Sequence, residues 1–401
     1  MRGVRLFCST LLILLFAGTA HAEKLPGTII FSPEVMAQTK QRILERDPLL
    51  KPAYDTLIKE ADRAVTAPAE SVILKPSPPP GEKQHAYWSL DPEWWPDPKR
   101  SGGLPYVHRP GENNPEALSE KYDRQRLHRM ATDALTLSLA WYLTGNEQYA
   151  GKGTALIWSW CCDSVTRTEP HMRFAHARPG IAKGHHSGII ETRDMIRVAE
   201  AARILEPSQS WSDVVTRKVS AWFTSYVKWL MTSKFGSLES NENNAHGTWY
   251  DAQVAVFALY AGDTTLARSV IGTVDRRRIG FQIEKNGAMP AALKERASRQ
   301  ATFFNLEAFF ILAAVGERLG LDLWNWDDPY SGSIKKAFDY AAPYISPDEP
   351  WPFGHTGKFD PQPFTPLFHR AALVYKDKRY LNHLKALPDA FLIKDRAQLF
   401  H

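Results

Sequence analysis

The segment from Asn241 to Asp251 concentrates side chains that could do chemistry, and it reads Asn-Glu-Asn-Asn-Ala-His-Gly-Thr-Trp-Tyr-Asp. Carboxamides and an imidazole can hold a carboxylate, and an imidazole or a phenol can move a proton. An indole can stack on the apolar face of a sugar ring. The segment therefore suggests a binding site for an acidic carbohydrate.

Helical spacing decides which of these side chains can act together. On a continuous helix, Asn243, His246 and Tyr250 share one face because they are three and four residues apart. If the helix begins at Gly247, either Asn243 or Asn244 could reach the site. Tyr250 could supply a phenol, or it could pack in the core with its hydroxyl hydrogen-bonded, and the spacing leaves both possibilities open.

Amphipathic helical patterns dominate the chain and would position this segment. The predicted helices are Pro33–Arg46, Pro52–Ala67, Arg126–Leu143, Glu147–Trp160, Ile189–Leu205, Trp211–Met231, a helix running to Leu259, Thr264–Arg276, Thr302–Leu319, Ile334–Tyr344, Pro363–Tyr375 and a short one near Leu381. Paired helices with short turns, repeated roughly six or seven times, predict an all-α fold, an α/α toroid or barrel whose loops surround a cleft. The sequence shows no linker to a second domain and no convincing run of alternating strands.

A long irregular stretch follows the breaker Lys75-Pro-Ser-Pro-Pro-Pro-Gly81 and extends to about Ser119. Its aromatic content argues against disorder, and loops of this length in compact domains are usually functional. Trp94 and Trp95 are candidate stacking platforms for a sugar. They could equally anchor the loop on the rest of the domain.

The N-terminus predicts export. A basic start at Arg2 and Arg5 precedes an apolar run, and Ala20-His-Ala22 matches a signal-peptidase site, so residues 1–22 are predicted to be a signal peptide. The mature chain, residues 23–401, would then be periplasmic or secreted, with no membrane attachment after cleavage. Its two cysteines, Cys161 and Cys162, are adjacent and are predicted to be buried thiols.

The charge balance is mildly basic. The formal net charge of +5 falls to +3, because two arginines and no acidic residue leave with the signal peptide. This excess is compatible with a polyanionic substrate and is too weak to indicate nucleic acid. No histidine, cysteine or carboxylate spacing is diagnostic of a metal site, and the sequence indicates no cofactor.

Several segments, in order, resemble the alginate lyase superfamily of α/α-barrel polysaccharide lyases, which includes mannuronate and glucuronan lyases. The resemblance covers roughly residues 85 to 320. It is carried by Tyr87-Trp-Ser-Leu-Asp-Pro-Glu-Trp-Trp-Pro-Asp-Pro98, Gly103-Leu-Pro-Tyr-Val-His-Arg-Pro-Gly-Glu-Asn-Asn-Pro-Glu116, Tyr122-Asp-Arg, Trp141-Tyr-Leu-Thr-Gly-Asn146, Thr166-Arg-Thr-Glu-Pro-His171, Ala175-His-Ala-Arg-Pro-Gly180, Gly188-Ile-Ile-Glu-Thr-Arg193, Asn244-Ala-His-Gly-Thr-Trp-Tyr-Asp251 and Phe304-Asn-Leu-Glu-Ala308.

The resemblance implies β-elimination on a polyuronide such as alginate or glucuronan. This reaction needs a neutralised C5 carboxylate, a base for the C5 proton and an acid for the departing O4. The family's Asn-Asn-His motif places its histidine at His246, as carboxylate neutraliser or base. Here Ala245 stands between the asparagines and the histidine. Either one residue is inserted and Asn244 or Asn243 takes the role of the family's asparagine, or that asparagine is lost.

The sequence departs further from the family before the Phe-Asn-Leu-Glu block. Members of the family usually carry an arginine and then a catalytic tyrosine there, whereas this chain has Ala301 at the tyrosine position and Glu295 at the arginine position. Arg296 and Arg299 are the nearest candidates for the arginine, or they belong to a solvated helix face. Tyr250 or His246 could take over the proton transfer, or the protein could bind without cleaving.

Other positions are candidates for substrate contact. His186 lies at a predicted loop-to-helix junction facing the cleft, where it could contact substrate or serve as an alternative base. Arg109 matches a family position in the long loop. A glycoside hydrolase on a similar barrel is a competing interpretation, and it requires two carboxylates flanking the scissile bond. Asp251, Glu191 and Glu307 could be proposed for it, but none lies in a matching motif.

Overall fold

Helices make up most of this computed structural model, which describes residues 25–354 and 357–401. The predicted signal peptide lies outside the described residues. The α-helices are α1 (Pro33–Leu44), α2 (Lys51–Thr66), α3 (Arg124–Thr144), α4 (Glu147–Cys161), α5 (Asp194–Leu205), α6 (Asp213–Thr232), α7 (Lys234–Ser240), α8 (Ala245–Ala261), α9 (Thr264–Val274), α10 (Gly280–Gln282), α11 (Pro290–Leu293), α12 (Ser298–Arg318), α13 (Ile334–Ala341), α14 (Thr365–Val374), α15 (Arg379–Leu384), α16 (Asp389–Leu392) and α17 (Ala397–Phe400).

Short elements of other kinds connect these helices. The 3₁₀ turns are Val72–Leu74, Ser101–Gly103, Pro115–Leu118, His186–Arg193, Ala342–Ile345 and Gln362–Phe364, and a π turn spans Asp275–Ile279. The strands are β1 (Trp88–Leu90), β2 (Trp94–Trp95), β3 (Val107–His108) and β4 (Phe174–Ala177). β1 pairs with β4 in parallel and β2 with β3 antiparallel. The sequence did not reveal these strands because each is too short for an alternating pattern.

Two of the predicted helix pairs, α3 with α4 and α8 with α9, pack closely against each other. Helix α3 lies against α2, α4 and α5, and α8 lies against α6, α9 and α12. The turns after α3 and α8 place Gly145 and Gly262 in the left-handed conformation, with φ of 70° and 89°, which ends both helices. The all-α prediction is confirmed. Closure into a toroid of six to seven hairpins stays a prediction.

Helix α8 is buried along most of its length. Every residue from Gly247 to Ala258 is buried, as expected for a helix that is apolar on all sides. Its start is held by two polar features. A buried ion pair joins Arg278 Nε to Asp251 Oδ2 at 2.7 Å, and Arg278 also donates to the Glu242 carbonyl. A Cβ on Gly247 would lie 2.0 Å from that carbonyl oxygen, so only glycine fits there.

The long stretch predicted to be irregular contains β1, β2 and β3 and has a small apolar cluster of its own. That cluster comprises Ala86, Trp88, Leu90, Tyr106, Ala117, Tyr122, Phe174 and Ala177. A fully buried ion pair between Lys75 Nζ and Asp123, at 3.0 Å, ties the start of the stretch to α3. The order that its aromatic residues predicted is therefore present.

Cys161 and Cys162 are buried free thiols at the end of α4, as predicted. Within the described ranges, no helix combines the length and the apolarity needed to cross a bilayer.

Candidate active site

One buried carboxylate, Glu239, holds two histidines. Its Oε1 lies 2.6 Å from Nδ1 of His246, and its Oε2 lies 2.8 Å from Nδ1 of His186. The Glu239 side chain is almost fully buried, whereas the side chains of His186 and His246 are 17 % and 32 % exposed. The arrangement therefore presents two imidazoles to solvent on a single buried anion.

Three separate elements bring these groups together. Glu239 lies at the end of α7, His246 lies in the first turn of α8, and His186 begins the 3₁₀ turn before α5. Asn244 is the N-cap of α8, and its Oδ1 accepts a hydrogen bond from the backbone N–H of His246 at 2.8 Å. The Asn244 cap sets where α8 begins and so fixes the position of His246.

The shared carboxylate controls the charge of the site. Burial alone raises the pKa of Glu239, but the hydrogen bonds from His186 and His246 lower it below its ordinary value. Burial lowers the pKa of His246, yet the hydrogen bond and charge of Glu239, with the charges of Glu242 and Glu295, raise it above its ordinary value. His246 is therefore readily held as an imidazolium beside an ionised Glu239.

Both histidines present their other ring nitrogen for chemistry. Because each Nδ1 is engaged by a carboxylate oxygen, each carries its proton on Nδ1 toward Glu239. None of the described residues hydrogen-bonds Nε2 of either ring. The site can therefore offer an N–H donor from a charged imidazole and a lone pair from a neutral one.

A second polar network adjoins the first. The ring of His185 packs 4.1 Å from that of His186, and Nδ1 of His185 lies 2.8 Å from Ser187 Oγ. Burial, helped by the positive charges of neighbours, lowers the pKa of His185 to about 4, so it is neutral at pH 7. Ser187 Oγ also contacts His176 Nδ1 at 2.9 Å, and His176 reaches the buried Glu191 at 3.4 Å. This network supports the wall from which His186 projects.

The structure does not place Tyr250 in the site. Its hydroxyl donates to the carbonyl of Leu230 at 2.9 Å, and the residue is 4 % exposed. Burial raises the pKa of this phenol further above its ordinary value. The prediction that Tyr250 acts in the site from the same helix face as His246 is wrong, because Tyr250 lies in the part of α8 that is buried. Tyr250 packs in the core with its hydroxyl satisfied.

Replacing Tyr250 with phenylalanine is therefore expected to change kcat/KM by less than about threefold. The free energy of unfolding should fall by about 1 kcal/mol, because one buried hydrogen bond to a carbonyl is lost. Steady-state kinetics and urea unfolding measure the two quantities. A hundredfold loss of activity with unchanged stability would return the phenol to the chemistry.

The two candidate arginines hold loops in this structure. Arg299 is buried and donates to the carbonyls of Ser346 and Glu349, so it fastens that segment to α12. Arg296 donates to the carbonyl of Pro110 and lies against Gly111, so it joins the long loop to the start of α12. Arg299 is 4 % exposed and has no open face for substrate, which corrects its assignment to substrate binding. A catalytic role for Arg296 stays a prediction.

The loop candidates occupy the surface of the 85–119 stretch. The ring of Trp94 is stacked on His108 at 5.4 Å and lies under the Arg178 guanidinium at 4.9 Å. The Arg109 guanidinium lies 5.0 Å from the ring of Trp95, whose Nε1 donates to the Glu112 carbonyl at 3.0 Å. These contacts anchor the loop. Sugar stacking by Trp94 and Trp95, and substrate contact by Arg109, stay predictions.

Three further positions from the sequence analysis, Asn243, Ala301 and Glu295, lie in different surroundings. Asn243 is exposed and lines an open groove with Arg276, Arg277 and Phe281. Ala301, where the family has tyrosine, is half-buried against the core. The charge of Glu295, where the family has arginine, acts on His246. At these two positions the chain therefore carries an apolar side chain instead of a phenol and an anion instead of a cation.

The three carboxylates considered for a hydrolase, Asp251, Glu191 and Glu307, have different surroundings. Asp251 is paired with Arg278 in the core. Glu191 is buried and accepts a hydrogen bond from the Tyr87 hydroxyl at 3.0 Å. Burial raises the pKa of Glu307, against the nearby charges of Arg193 and Arg197. Within the described residues, no group of histidine, cysteine and acidic side chains is arranged to hold a metal ion.

Glu239 was missed by the sequence analysis. It lies in a short helix five residues before Asn244, outside the motif that marks His246. Its partner His186 is 53 residues away in the chain. The one available signal was a lone acidic residue shortly before an Asn/His motif.

Known proteins share the sequence pattern and the fold of this chain. The sequence matches the alginate lyase family over residues 71–351. The structure is similar to that of an alginate lyase from Bacteroides ovatus, with a TM-score of 0.87 and 30 % sequence identity over 94 % of this chain and 99 % of the other.

A weaker similarity links the chain to alginate lyase A1-III from Sphingomonas species A1. The TM-score is 0.46 at 13 % identity over 73 % of this chain and 78 % of that one. No curated protein matched the sequence. The family match covers well over half of the sequence, and the chain therefore belongs to the alginate lyase family.

Proposed function

We propose that this protein is a polysaccharide lyase that cleaves a polyuronide, alginate or glucuronan, by β-elimination. The observation that carries the proposal is the Glu239 carboxylate bonded to Nδ1 of both His186 and His246. Family membership supports the reaction class, and the similar Bacteroides ovatus protein is described as an alginate lyase.

The carboxylate of the substrate is the first requirement. His246, held as an imidazolium by Glu239, places a positive charge where the C5 carboxylate must be neutralised. The amide of Asn244 supports it. One of its two N–H bonds is directed to Glu242 at 3.2 Å and the other is available to substrate. Withdrawal of charge from the carboxylate makes the C5 proton more acidic.

Proton transfer falls to His186. Its Nε2 lone pair removes the C5 proton, the C5–H electrons form the C4=C5 double bond, and the C4–O4 bond breaks. The same imidazole, now charged, returns the proton to O4 of the leaving sugar. Glu239 stabilises the transient charge on His186 as it stabilises that on His246. No tyrosine at position 301 is needed in this scheme.

The proposal is tested by incubating the mature protein with polymannuronate, polyguluronate, glucuronan and pectate. Ultraviolet absorbance follows the unsaturated uronate that elimination leaves, and a reducing-end assay runs in parallel. Absorbance that rises with the reducing ends on one polymer identifies both the reaction and the substrate. Reducing ends without absorbance would instead identify a hydrolase.

A second candidate function is binding without cleavage. It is favoured by one observation, the presence of Ala301 and Glu295 where the family has tyrosine and arginine. A binding protein would show affinity for one of the same polymers and no new ends or absorbance after prolonged incubation. Any turnover that depends on His246 rules this function out.

We also propose that residues 23–401 form one domain that acts in the periplasm or outside the cell. The basic, apolar and small-residue pattern of residues 1–22 supports export. N-terminal sequencing of the protein from fractionated cells tests this. A mature chain that begins at Glu23 in the periplasm or medium is expected, and a cytoplasmic chain that begins at Met1 would contradict it.

A further inference from the structure

An open groove with a cavity volume of about 590 Å³ borders the active-site segment, and we call it the rim groove. Ser240, Asn241, Asn243, Arg276, Arg277 and Phe281 line it. Two of its lining residues are arginines and none is a carboxylate. Its position follows from the fold, because the end of α9 lies beside the start of α8, the end of the bundle that carries His246.

The two most prominent side chains of the rim groove do little for the fold. The Arg276 side chain is 90 % exposed, and its charged partner within the described part of the chain is Asp275 at 3.9 Å. Phe281 is 71 % exposed. An exposed cation beside an exposed aromatic ring is the combination that binds an acidic sugar, by ion pairing and by stacking on the pyranose.

The wall of the rim groove is rigid. Arg277 donates to Oγ of Ser240 at 3.1 Å and to its carbonyl, and Arg278 donates to the same carbonyl at 2.7 Å. These bonds join the π turn Asp275–Ile279 to the segment that runs from Glu239 to Asn244. The groove and the histidine pair are therefore built on the same few residues, and π turns are frequent at functional sites.

We propose that the rim groove is a second binding site for the acidic polysaccharide, in which Phe281 stacks on a uronate ring and Arg276 pairs with its carboxylate. The proposal deepens the proposed function, since it places a further stretch of the same class of polymer beside the histidine pair. Such a site adds affinity for long chains over short ones, because one molecule then contacts two linked sites.

The test measures binding in a protein that does not cleave. In the His246→Ala variant, the Kd for polymannuronate and for glucuronan is measured by affinity electrophoresis and calorimetry. Adding Arg276→Ala and Phe281→Ala is expected to raise the Kd of the bound polymer about tenfold, the sum of one stacking and one exposed ionic contact. Arg379→Ala, which removes an arginine of similar exposure on α15, should leave the Kd unchanged.

The outcomes are distinct from those of the lyase test. An unchanged Kd in the Arg276 and Phe281 variant, no binding of either acidic polymer, or equal binding of neutral mannan would overturn the rim-groove proposal. Turnover by the protein with His246 intact is measured separately. The two experiments therefore distinguish a lyase whose Kd does not depend on the rim groove from a protein whose Kd depends on the groove but that has no lyase activity.

Discussion

Replacing His246 with alanine is expected to lower kcat/KM on the preferred polyuronide by about 10³-fold or more. The change removes the charge that neutralises the C5 carboxylate, and such electrostatic stabilisation is usually the largest single contribution to an enzymatic rate. It also leaves Glu239 with one hydrogen-bond donor in place of two, which weakens the hold on His186. Initial rates of absorbance increase on the same polymer measure the loss.

The fold should survive this change. His246 is partly exposed in the first turn of α8, and the Asn244 cap bonds its backbone N–H, which alanine retains. Far-ultraviolet circular dichroism and the unfolding midpoint are expected to stay close to those of the unmodified protein. His383→Ala on α15 serves as a matched histidine control and should keep full activity. Activity within tenfold of the unmodified protein in His246→Ala would refute the role assigned to this residue.

Replacing Glu239 with glutamine is expected to lower kcat/KM by about 10²-fold to 10⁴-fold, although the side chain keeps its shape. A carboxylate can accept from both Nδ1–H groups, whereas an amide has one oxygen and must point its NH₂ group at the other histidine. One imidazole is then forced into the wrong tautomer. A similar exchange in a serine protease triad has an effect of about 10⁴-fold.

The pH dependence gives the same variant a second readout. The pKa of His246 is raised above its ordinary value, so the activating charge is present at low pH and is lost as the pH rises through the folded-state pKa. Its contribution to folding stability has the same sign and is lost over the same range. In Glu239→Gln the burial remains and the anion is gone. The pKa of His246 should therefore fall and the alkaline limb of kcat/KM should move to lower pH.

Glu242→Gln provides a graded control for this shift. Glu242 also raises the pKa of His246, but by its charge alone, so its removal should move the alkaline limb in the same direction and less far. Proton NMR titration of the imidazole resonances reports the pKa directly. An alkaline limb that stays in place in Glu239→Gln would show that this carboxylate does not control the charge of His246.

The sequence located part of this site because local motifs are readable. Helical periodicity predicts that the Asn/His segment opens a helix running to Leu259, and α8 does begin in that segment, at Ala245 with Asn244 as its N-cap. The all-α class followed from helical periodicity in the same way. The short strands of the 85–119 stretch did not, because two or three residues carry no period.

The sequence predictions failed at residues whose surroundings depend on tertiary packing. Helical spacing relates Tyr250 to His246, but it does not show that other helices enclose this part of α8. The sequence therefore supported a place for the Tyr250 phenol in the site as well as in the core. The sequence pattern indicated that Arg299 is exposed, whereas it is buried and donates hydrogen bonds to loop carbonyls. Glu239 could be identified only from the structure, because its contact with His186 joins α7 to a turn 53 residues earlier in the chain.

The carboxylate shared by the two histidines also makes them thermodynamically dependent on each other. A change at either imidazole alters the hydrogen bonding and the proton affinity of the other through Glu239. The energetic effects of single substitutions at His186 and His246 therefore do not sum in the double variant, as is general for groups in one hydrogen-bonded network.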